Sequence, residues 1–234
     1  MTDLSAVVMA AGEGSRLRPL TDRWPKPVLP IDGRPVIVTL LRELASAGFD
    51  EATVVTGHLA EQVERLVGDG SPFGLRVRTV RQPEPLGSAD AVRRAVDAGV
   101  APPLLVTAAD TVFVHGDLAR FAEAWETSRA AGALGIRRGG RDDQASVRVD
   151  GCKVLEIGGG RGEHTAAPLW ILGDDLTAAL RDLPGPPFEI GRAVQDALAA
   201  GQGILAVQLG PTRDLTHPAD VVTENFPYLW GEGR

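Results

Sequence analysis

The chain has 234 residues, a net charge of −7 and one cysteine, and 44% of its residues are hydrophobic. This length suits one substantial core, so a single domain over residues 1–234 is expected. The negative charge argues against a nucleic-acid-binding face, and a lone cysteine excludes an internal disulfide bond. No apolar run reaches the roughly eighteen residues of a membrane span. These features predict a soluble, cytoplasmic protein without a membrane or nucleic-acid partner.

Apolar runs alternate with amphipathic stretches over the first 130 residues. The runs predict strands and the stretches predict helices, which gives a β-α-β-α order. Strands that are apolar throughout favour a parallel sheet covered by helices on both faces. Ligands of such sheets bind at the carboxyl ends of the strands. The predicted strands are 4–10, 52–56, 75–80 and 103–107, and the predicted helices are 35–47, 59–67, 88–98 and 117–130.

The second half carries shorter strands with glycine-rich connections, which favours antiparallel additions to the sheet. The expected fold class is therefore α/β: a three-layer α/β/α, Rossmann-like arrangement with a mixed, mainly parallel central sheet. The predicted strands here are 133–137, 145–149, 153–157, 168–172 and 204–209, and the predicted helices are 174–183, 189–199 and 218–226.

The loop after the first strand is the most informative segment. Gly12 and Gly14 allow backbone N–H groups to approach a ligand closely, and Ser15 and Arg16 follow them, which suits phosphate oxygens. A dinucleotide fingerprint would need a third glycine where Leu17 stands, and the Gly-Lys-Ser/Thr of a P-loop is absent. The loop therefore predicts a phosphate site of a different kind.

Lys26 is one of only two lysines in the chain, and prolines flank it on both sides. We expect the prolines to hold an extended, stiff backbone that fixes the ammonium group in position. A fixed ammonium group suits a point charge directed at phosphate. The alternative is a proline-rich surface turn with an incidental lysine, which the preceding glycine loop makes less attractive.

Three segments near the N-terminus together carry a resemblance to a known family. Residues 12–21, 25–31 and 33–35 read G-x-G-x-R-L-x-P-L-T, P-K-P-x-L-P-I and G-x-P. They resemble the signature of the sugar-phosphate nucleotidyltransferases, or NDP-sugar pyrophosphorylases. That family includes glucose-1-phosphate thymidylyltransferases, mannose-1-phosphate guanylyltransferases and N-acetylmuramate-1-phosphate uridylyltransferases.

The resemblance implies an enzyme that moves a nucleoside monophosphate from a nucleoside triphosphate to a sugar 1-phosphate, with Mg²⁺ as cofactor. Pyrophosphate leaves and an NDP-sugar forms. Residues 1–130 are then the nucleotide-binding half and 131–234 the acceptor-binding half. Arg16 and Lys26 are the implied catalytic residues, which neutralise the phosphates. The implied phosphate-binding loop residues are Ala11, Gly12, Gly14, Ser15 and Arg16, together with Lys26.

The segment around Gln82, Gly87 and Ser88 resembles the nucleobase-binding part of the same family. A glutamine offers both a donor and an acceptor to a base edge, and Gly87 lets the backbone approach the base or ribose. Ser88 also suits the cap of the following helix, and a role in capping alone stays open.

Two aspartates match the metal-binding positions of the family. Asp110 follows a buried strand, although Ala109 stands where the family has glycine. Asp214 begins a segment that resembles the late Asp-x-x-Thr-Pro-x-Asp motif, with His217 before the proline. The resemblance implies that both carboxylates bind Mg²⁺, which takes few protein ligands and completes its shell with phosphates and water.

The acceptor side matches least well, because the lysine of the family's Glu-Lys-Pro motif is absent. Arg161 or Lys153 could replace it. Trp170 either stacks on a sugar or fills the core, and Glu189 matches a glutamate that contacts sugar hydroxyls. Two alternatives therefore stay open: the same chemistry on phosphocholine or inositol phosphate, and a nucleotide-binding regulatory module without turnover.

Overall fold

The structure is a computed structural model that describes residues 3–139, 144–158 and 162–226. The strands are β1 (Ser5–Ala10), β2 (Pro30–Ile31), β3 (Arg34–Pro35), β4 (Glu51–Thr56), β5 (Arg76–Arg81), β6 (Leu104–Ala108), β7 (Thr111–Val112), β8 (Gly132–Arg138), β9 (Ser146–Asp150), β10 (Lys153–Ile157), β11 (His164–Leu172), β12 (Ile204–Gln208) and β13 (Arg213–Asp214). The helices are α1 (Val36–Ser46), α2 (Ala60–Val67), α3 (Ser88–Asp97), α4 (Asp117–Glu126), α5 (Asp174–Ala179), α6 (Ile190–Ala199) and α7 (Pro218–Asn225).

Two predicted elements have boundaries that differ from those in the structure, for identifiable reasons. The helix expected to reach residue 130 stops at Glu126, where the hydroxyl groups of Thr127 and Ser128 donate to carbonyls of the last turn. The strand expected from 168 begins at His164 instead. Pro168 lies within it because a register shift absorbs this residue, which has no N–H to donate.

In the described residues, the main sheet has nine strands in the order β5-β4-β1-β6-β11-β8-β12-β10-β9. The first four are parallel. β11 is antiparallel to both neighbours, and so is β10, whereas β8 and β12 are parallel. The sheet is therefore mixed, as predicted, but it is not mainly parallel, because four parallel neighbour pairs are matched by four antiparallel ones. The parallel β8–β12 pair is a correction, because the second half was expected to add antiparallel strands.

Side chains alternate between two apolar clusters on opposite faces of the sheet. On β1, Val8 packs into one cluster and Val7 into the other, and both are fully buried. Helices α1, α2 and α4 contribute to the first cluster, and α3, α5 and α6 contribute to the second. The α/β class is thus confirmed, and this packing supports the three-layer arrangement, which stays a prediction.

A third, smaller apolar cluster lies under the loop after β1. It joins that loop to the β2–β3 hairpin and to the segment that follows β13. Asn225 of α7 accepts a hydrogen bond from the Gly33 N–H and donates one to the Pro30 carbonyl, so the last described helix is held on the hairpin. The buried members of the cluster are Leu17, Leu29, Ile31, Val36 and Leu215.

The parallel strands β1, β4, β5 and β6 end at one edge of the sheet, so the segments that follow them converge there. These segments contain most of the residues singled out in the sequence. Among the helices of the described ranges, none is long and apolar enough to cross a membrane.

Candidate active site

A cavity of about 430 Å³ opens at the carboxyl ends of these strands. All nine residues expected to contact the nucleotide line its wall. Asp110, Glu189 and Thr216 line it as well. The structure thus brings the predicted triphosphate loop and the predicted base segment together around one space. The nine residues are Ala11, Gly12, Gly14, Ser15, Arg16, Lys26, Gln82, Gly87 and Ser88.

The conformation of the glycine loop is fixed by side chains that form hydrogen bonds with its backbone carbonyls. Gly14 has a φ of +62°, and a Cβ there would lie 2.9 Å from the Thr21 Cγ2 atom. The Thr21 hydroxyl donates to the Gly14 carbonyl at 2.9 Å, and the Nε2 atom of His58 lies 2.7 Å from the Thr21 carbonyl. Gly14 is one of the predicted loop residues. His58 was not singled out in the sequence, because nothing in its own segment indicates the loop that it contacts.

Lys26 lies in a short 3-10 turn, Lys26–Val28, rather than in extended chain. This corrects the expected backbone: Pro25 is extended, but the Val28 N–H donates to the Pro25 carbonyl and closes a turn. Buried Pro25 and Pro27 still fix the position of the lysine. Its side chain is 16% exposed, and its ammonium group forms an ion pair with Asp110. The expected phosphate-binding cation and one expected metal ligand are therefore partners in this structure.

Gln82 is buried, and its orientation is fixed by two acceptors. Its Nε2 atom donates to the Gly87 carbonyl at 3.1 Å and to the Asp90 carboxylate at 2.8 Å. Burial alone would raise the pKa of Asp90, but hydrogen bonds from Gln82, Arg93 and Arg94 outweigh it and lower that pKa. The two protons of the amide are thus used within the protein. The side-chain oxygen of Gln82 is the group suited to a base, as an acceptor only.

Gly87 and Ser88 serve a contact that the sequence did not predict. A Cβ on Gly87 would lie 2.3 Å from the Phe188 carbonyl oxygen, so glycine is needed for close approach of two backbones. Ser88 is the first residue of α3 rather than its cap. Its hydroxyl donates to the Glu189 carboxylate and accepts from the Ile190 N–H, where α6 begins. Ser88 therefore joins α3 to α6, and the capping interpretation was wrong.

The pairing of two short strands brings the two predicted metal ligands together. β7 and β13 are antiparallel with Asp214 opposite Thr111, the residue next to Asp110. Both carboxylates line a second cavity, and the Thr216 hydroxyl donates to Asp214 at 3.1 Å. In the described part of the chain, no group of three or more His, Cys, Asp or Glu side chains could hold a metal ion. Two carboxylates fit Mg²⁺ when phosphate oxygens and water complete its shell.

The second cavity, of about 340 Å³, adjoins the first and shares Arg16, Lys26, Asp110 and Glu189 with it. Trp170 lines only the second cavity, although it is also largely buried in the core, so both roles considered for it stay open. Glu189 lies between the two cavities.

Of the two candidates for the missing acceptor-side lysine, the structure allows only Lys153 to be compared with this cavity. Arg161 lies outside the described residues. Lys153 is an exposed residue at the start of β10 and lines neither cavity. A basic residue that was not singled out, Arg137 on β8, lines the second cavity instead.

Residues 5–145 match the nucleotidyl transferase family, and the chain belongs to it. The family resemblance found in the sequence is thus confirmed. Over 137 residues the chain is 38% identical to the CMP-5'-(3-aminopropyl)phosphonate synthase of Streptomyces rubellomurinus; the alignment covers 56% of this chain and 21% of that protein. Over 84 residues it is 43% identical to the N-acetylmuramate alpha-1-phosphate uridylyltransferase of Neisseria meningitidis serogroup B, with 36% of each covered.

The chain therefore spans only about a fifth to a third of the length of these relatives. Among solved structures, it superposes on a UDP-glucose pyrophosphorylase in complex with UDP-glucose with a TM-score of 0.83. The match covers 97% of this chain and 98% of that one at 18% sequence identity, which establishes a shared fold.

Proposed function

We propose that this protein transfers a nucleoside monophosphate from a nucleoside triphosphate to the phosphate of a small acceptor and releases pyrophosphate. One observation carries the proposal. The nine residues expected to contact a nucleotide line one cavity, and that cavity adjoins a second one lined by both predicted metal ligands. Family membership supports the same reaction class.

In the proposed reaction, an oxygen of the acceptor phosphate attacks the α-phosphorus of the triphosphate in line. The new P–O bond forms as the bond to the β-phosphate breaks, and the electron pair leaves with pyrophosphate. The side chains of Arg16 and Lys26 offset the charge of the leaving group. No covalent enzyme intermediate is needed, so the protein contributes position and charge.

Asp110 and Asp214 are the proposed ligands of Mg²⁺. When bound, Mg²⁺ supplies a Lewis acid that polarises the phosphoryl group and offsets the charge of its oxygens. Lys26 leaves Asp110 in this proposal and turns to the phosphates. The Thr216 hydroxyl, which donates to Asp214, holds that carboxylate in one orientation.

The preferred acceptor is a sugar 1-phosphate, which yields an NDP-sugar in the cytoplasm. The relative from Neisseria supports this choice because its name states an N-acetylmuramate 1-phosphate substrate. The relative from Streptomyces favours a second candidate, since its name states a phosphonate that is not a sugar. A non-sugar acceptor such as phosphocholine or inositol phosphate is therefore kept as the alternative. A regulatory module without turnover is less well supported, because the structure keeps both acidic residues in one cavity.

Pyrophosphate release tests the proposal directly. We would assay a panel of nucleoside triphosphates against glucose 1-phosphate, N-acetylmuramate 1-phosphate, phosphocholine and inositol 1-phosphate. Lys26→Met is expected to lower turnover by about a hundredfold to a thousandfold, since it removes a charge directed at the phosphates. Lys153→Met is the matched control, because the only other lysine of the chain lies outside both cavities. Equal activity of the two variants would contradict the role of Lys26.

A second measurement separates the enzyme from a binding module. Triphosphates that bind the native state raise its melting temperature by mass action. A nucleotide that stabilises the protein but releases no pyrophosphate in the presence of any acceptor would favour the regulatory module. Absence of both stabilisation and release would contradict the proposed function as a whole.

A further inference from the structure

The wall of the second cavity contains a basic side chain that has no part in the reaction proposed above. Among the described residues that line it, Arg16, Lys26 and Arg137 are basic. Arg16 and Lys26 line the triphosphate cavity as well, whereas Arg137 lines the second cavity only. A ligand with negative charge in the second cavity would therefore meet Arg137 as the basic residue specific to that side.

The guanidinium group of Arg137 is held in a defined position. Its Nη1 atom donates to the Thr212 hydroxyl, and its Nη2 atom donates to the Ala166 carbonyl at 3.0 Å. The side chain is only 13% exposed. A planar guanidinium group fixed in this way matches the geometry of a phosphate or phosphonate group, to which it can donate two parallel hydrogen bonds.

The position also suits the proposed reaction. Nη1 of Arg137 lies 3.8 Å from the Asp214 carboxylate, so the guanidinium group is next to a proposed metal ligand. Lys26, Asp110 and Arg16 are among the residues that line both cavities. A phosphate group bound by Arg137 would therefore lie beside the triphosphate rather than at the far end of the acceptor cavity.

We propose that Arg137 binds the phosphate or phosphonate group of the acceptor. This inference rests on the proposed function. Arg137 takes the place of the acceptor-side lysine that the sequence lacks, and it does so from a different strand. The acceptor class is narrowed to compounds with a terminal phosphoryl or phosphonyl dianion, whose oxygen becomes the nucleophile.

Inorganic phosphate is the smallest probe of this site. The protein would first be titrated with an α,β-methylene triphosphate analogue and Mg²⁺ and then, by calorimetry, with inorganic phosphate. Arg137→Met is expected to weaken phosphate binding by about tenfold to a hundredfold, because a charged hydrogen-bond partner is lost. Arg137→Lys should retain part of the affinity. Arg138→Met is the matched control, because Arg138 is next to Arg137 on β8 but is exposed and lines neither cavity.

Two outcomes would overturn the inference. The first is equal affinity of Arg137→Met and the wild type for phosphate, and the second is no phosphate binding by the wild type. If the first outcome came with weaker binding of Mn²⁺ by Arg137→Met, the role of Arg137 would be to support Asp214. Failure of the triphosphate analogue to bind would instead contradict the proposed function. The phosphate titration would then be made on the ligand-free protein.

Discussion

At the scale of single residues, the candidate site depends on glycines that differ in what surrounds them. Gly14 is in the left-handed region and touches Thr21, whereas a Cβ on Gly12 would have nothing within 4 Å. Both belong to the same loop and both line the same cavity. Only Gly14 is therefore required by the backbone itself, and Gly12 is required, if at all, by the ligand.

This contrast predicts different losses of stability. Gly14→Ala should lower the free energy of unfolding by about 1–2 kcal/mol, the usual cost of a left-handed non-glycine residue. Gly12→Ala should change it by less than about 0.5 kcal/mol. Urea unfolding of the ligand-free proteins at 25 °C measures both. Equal losses in the two variants would show that the loop does not have the conformation described above.

At the scale of elements, the N-terminal turn of α3 links the base side of the cavity to α6. Asp90 in this turn accepts hydrogen bonds from Gln82 and ion pairs with Arg93 and Arg94. The guanidinium group of Arg93 lies 4.3 Å from the centre of the Phe188 ring, beside the segment that leads into α6. A single buried carboxylate thus organises both a candidate base contact and the junction of two helices.

Asp90→Asn is expected to destabilise the protein by about 2 kcal/mol at pH 7, because charge-assisted hydrogen bonds are weakened. The folded protein lowers the pKa of Asp90 below its ordinary value of 3.8. Its contribution is therefore fully present above that value and is lost as the pH falls through the lower, folded-state pKa. Urea unfolding should show a constant difference between variant and wild type from pH 5 to pH 7. A difference that did not narrow below pH 3.8 would contradict this assignment.

At the scale of the whole molecule, the two halves share one sheet. β6 of the first half pairs with β11 of the second, with Val106 opposite Trp170 and Leu105 opposite Ile171. Side chains from both halves also occur together in each large apolar cluster. The two halves therefore cannot separate without breaking the β6–β11 pairing at the centre of the sheet.

This shared sheet predicts cooperative unfolding of the chain. Urea transitions followed by tryptophan fluorescence and by far-ultraviolet circular dichroism should coincide, as expected for a two-state domain. A bound triphosphate should shift both curves together, although its proposed contacts are mostly in the first half. Two separated transitions would instead indicate that residues 1–130 and 131–234 fold as independent units.

How much of this was readable from the sequence differs between the two cavities. The glycine loop and Asp110 come directly after parallel strands, and Lys26 lies in the segment that the glycine loop begins, so local patterns suffice to place them at one edge. Arg137 could not be found in this way. It is one of two adjacent arginines at the end of a strand, and its place in the second cavity depends on β11, which lies between β6 and β8 and whose Ala166 carbonyl accepts from it.

The same limit explains the missed pairing of β7 with β13. Two-residue strands are too short to show any periodicity, and their partners are about a hundred residues apart in the chain. Sequence reasoning singled out Asp110 and Asp214 separately, from a family resemblance. Their common cavity depends on that long-range pairing, which no local pattern contains.

In the ion pair between Lys26 and Asp110, the ammonium group competes with a metal ion for the carboxylate, and the carboxylate competes with a triphosphate for the ammonium group. A lone divalent cation must displace the ammonium group, and a lone triphosphate must draw it away from the carboxylate. When the cation and the triphosphate bind together, the carboxylate pairs with the cation and the ammonium group pairs with the triphosphate, so both charges keep a partner. Free Mn²⁺ should therefore bind Lys26→Met more tightly than the wild type in the absence of nucleotide, as measured by electron paramagnetic resonance. Tighter binding of Mn²⁺ by the wild type would show that Lys26 favours metal binding rather than competing with it.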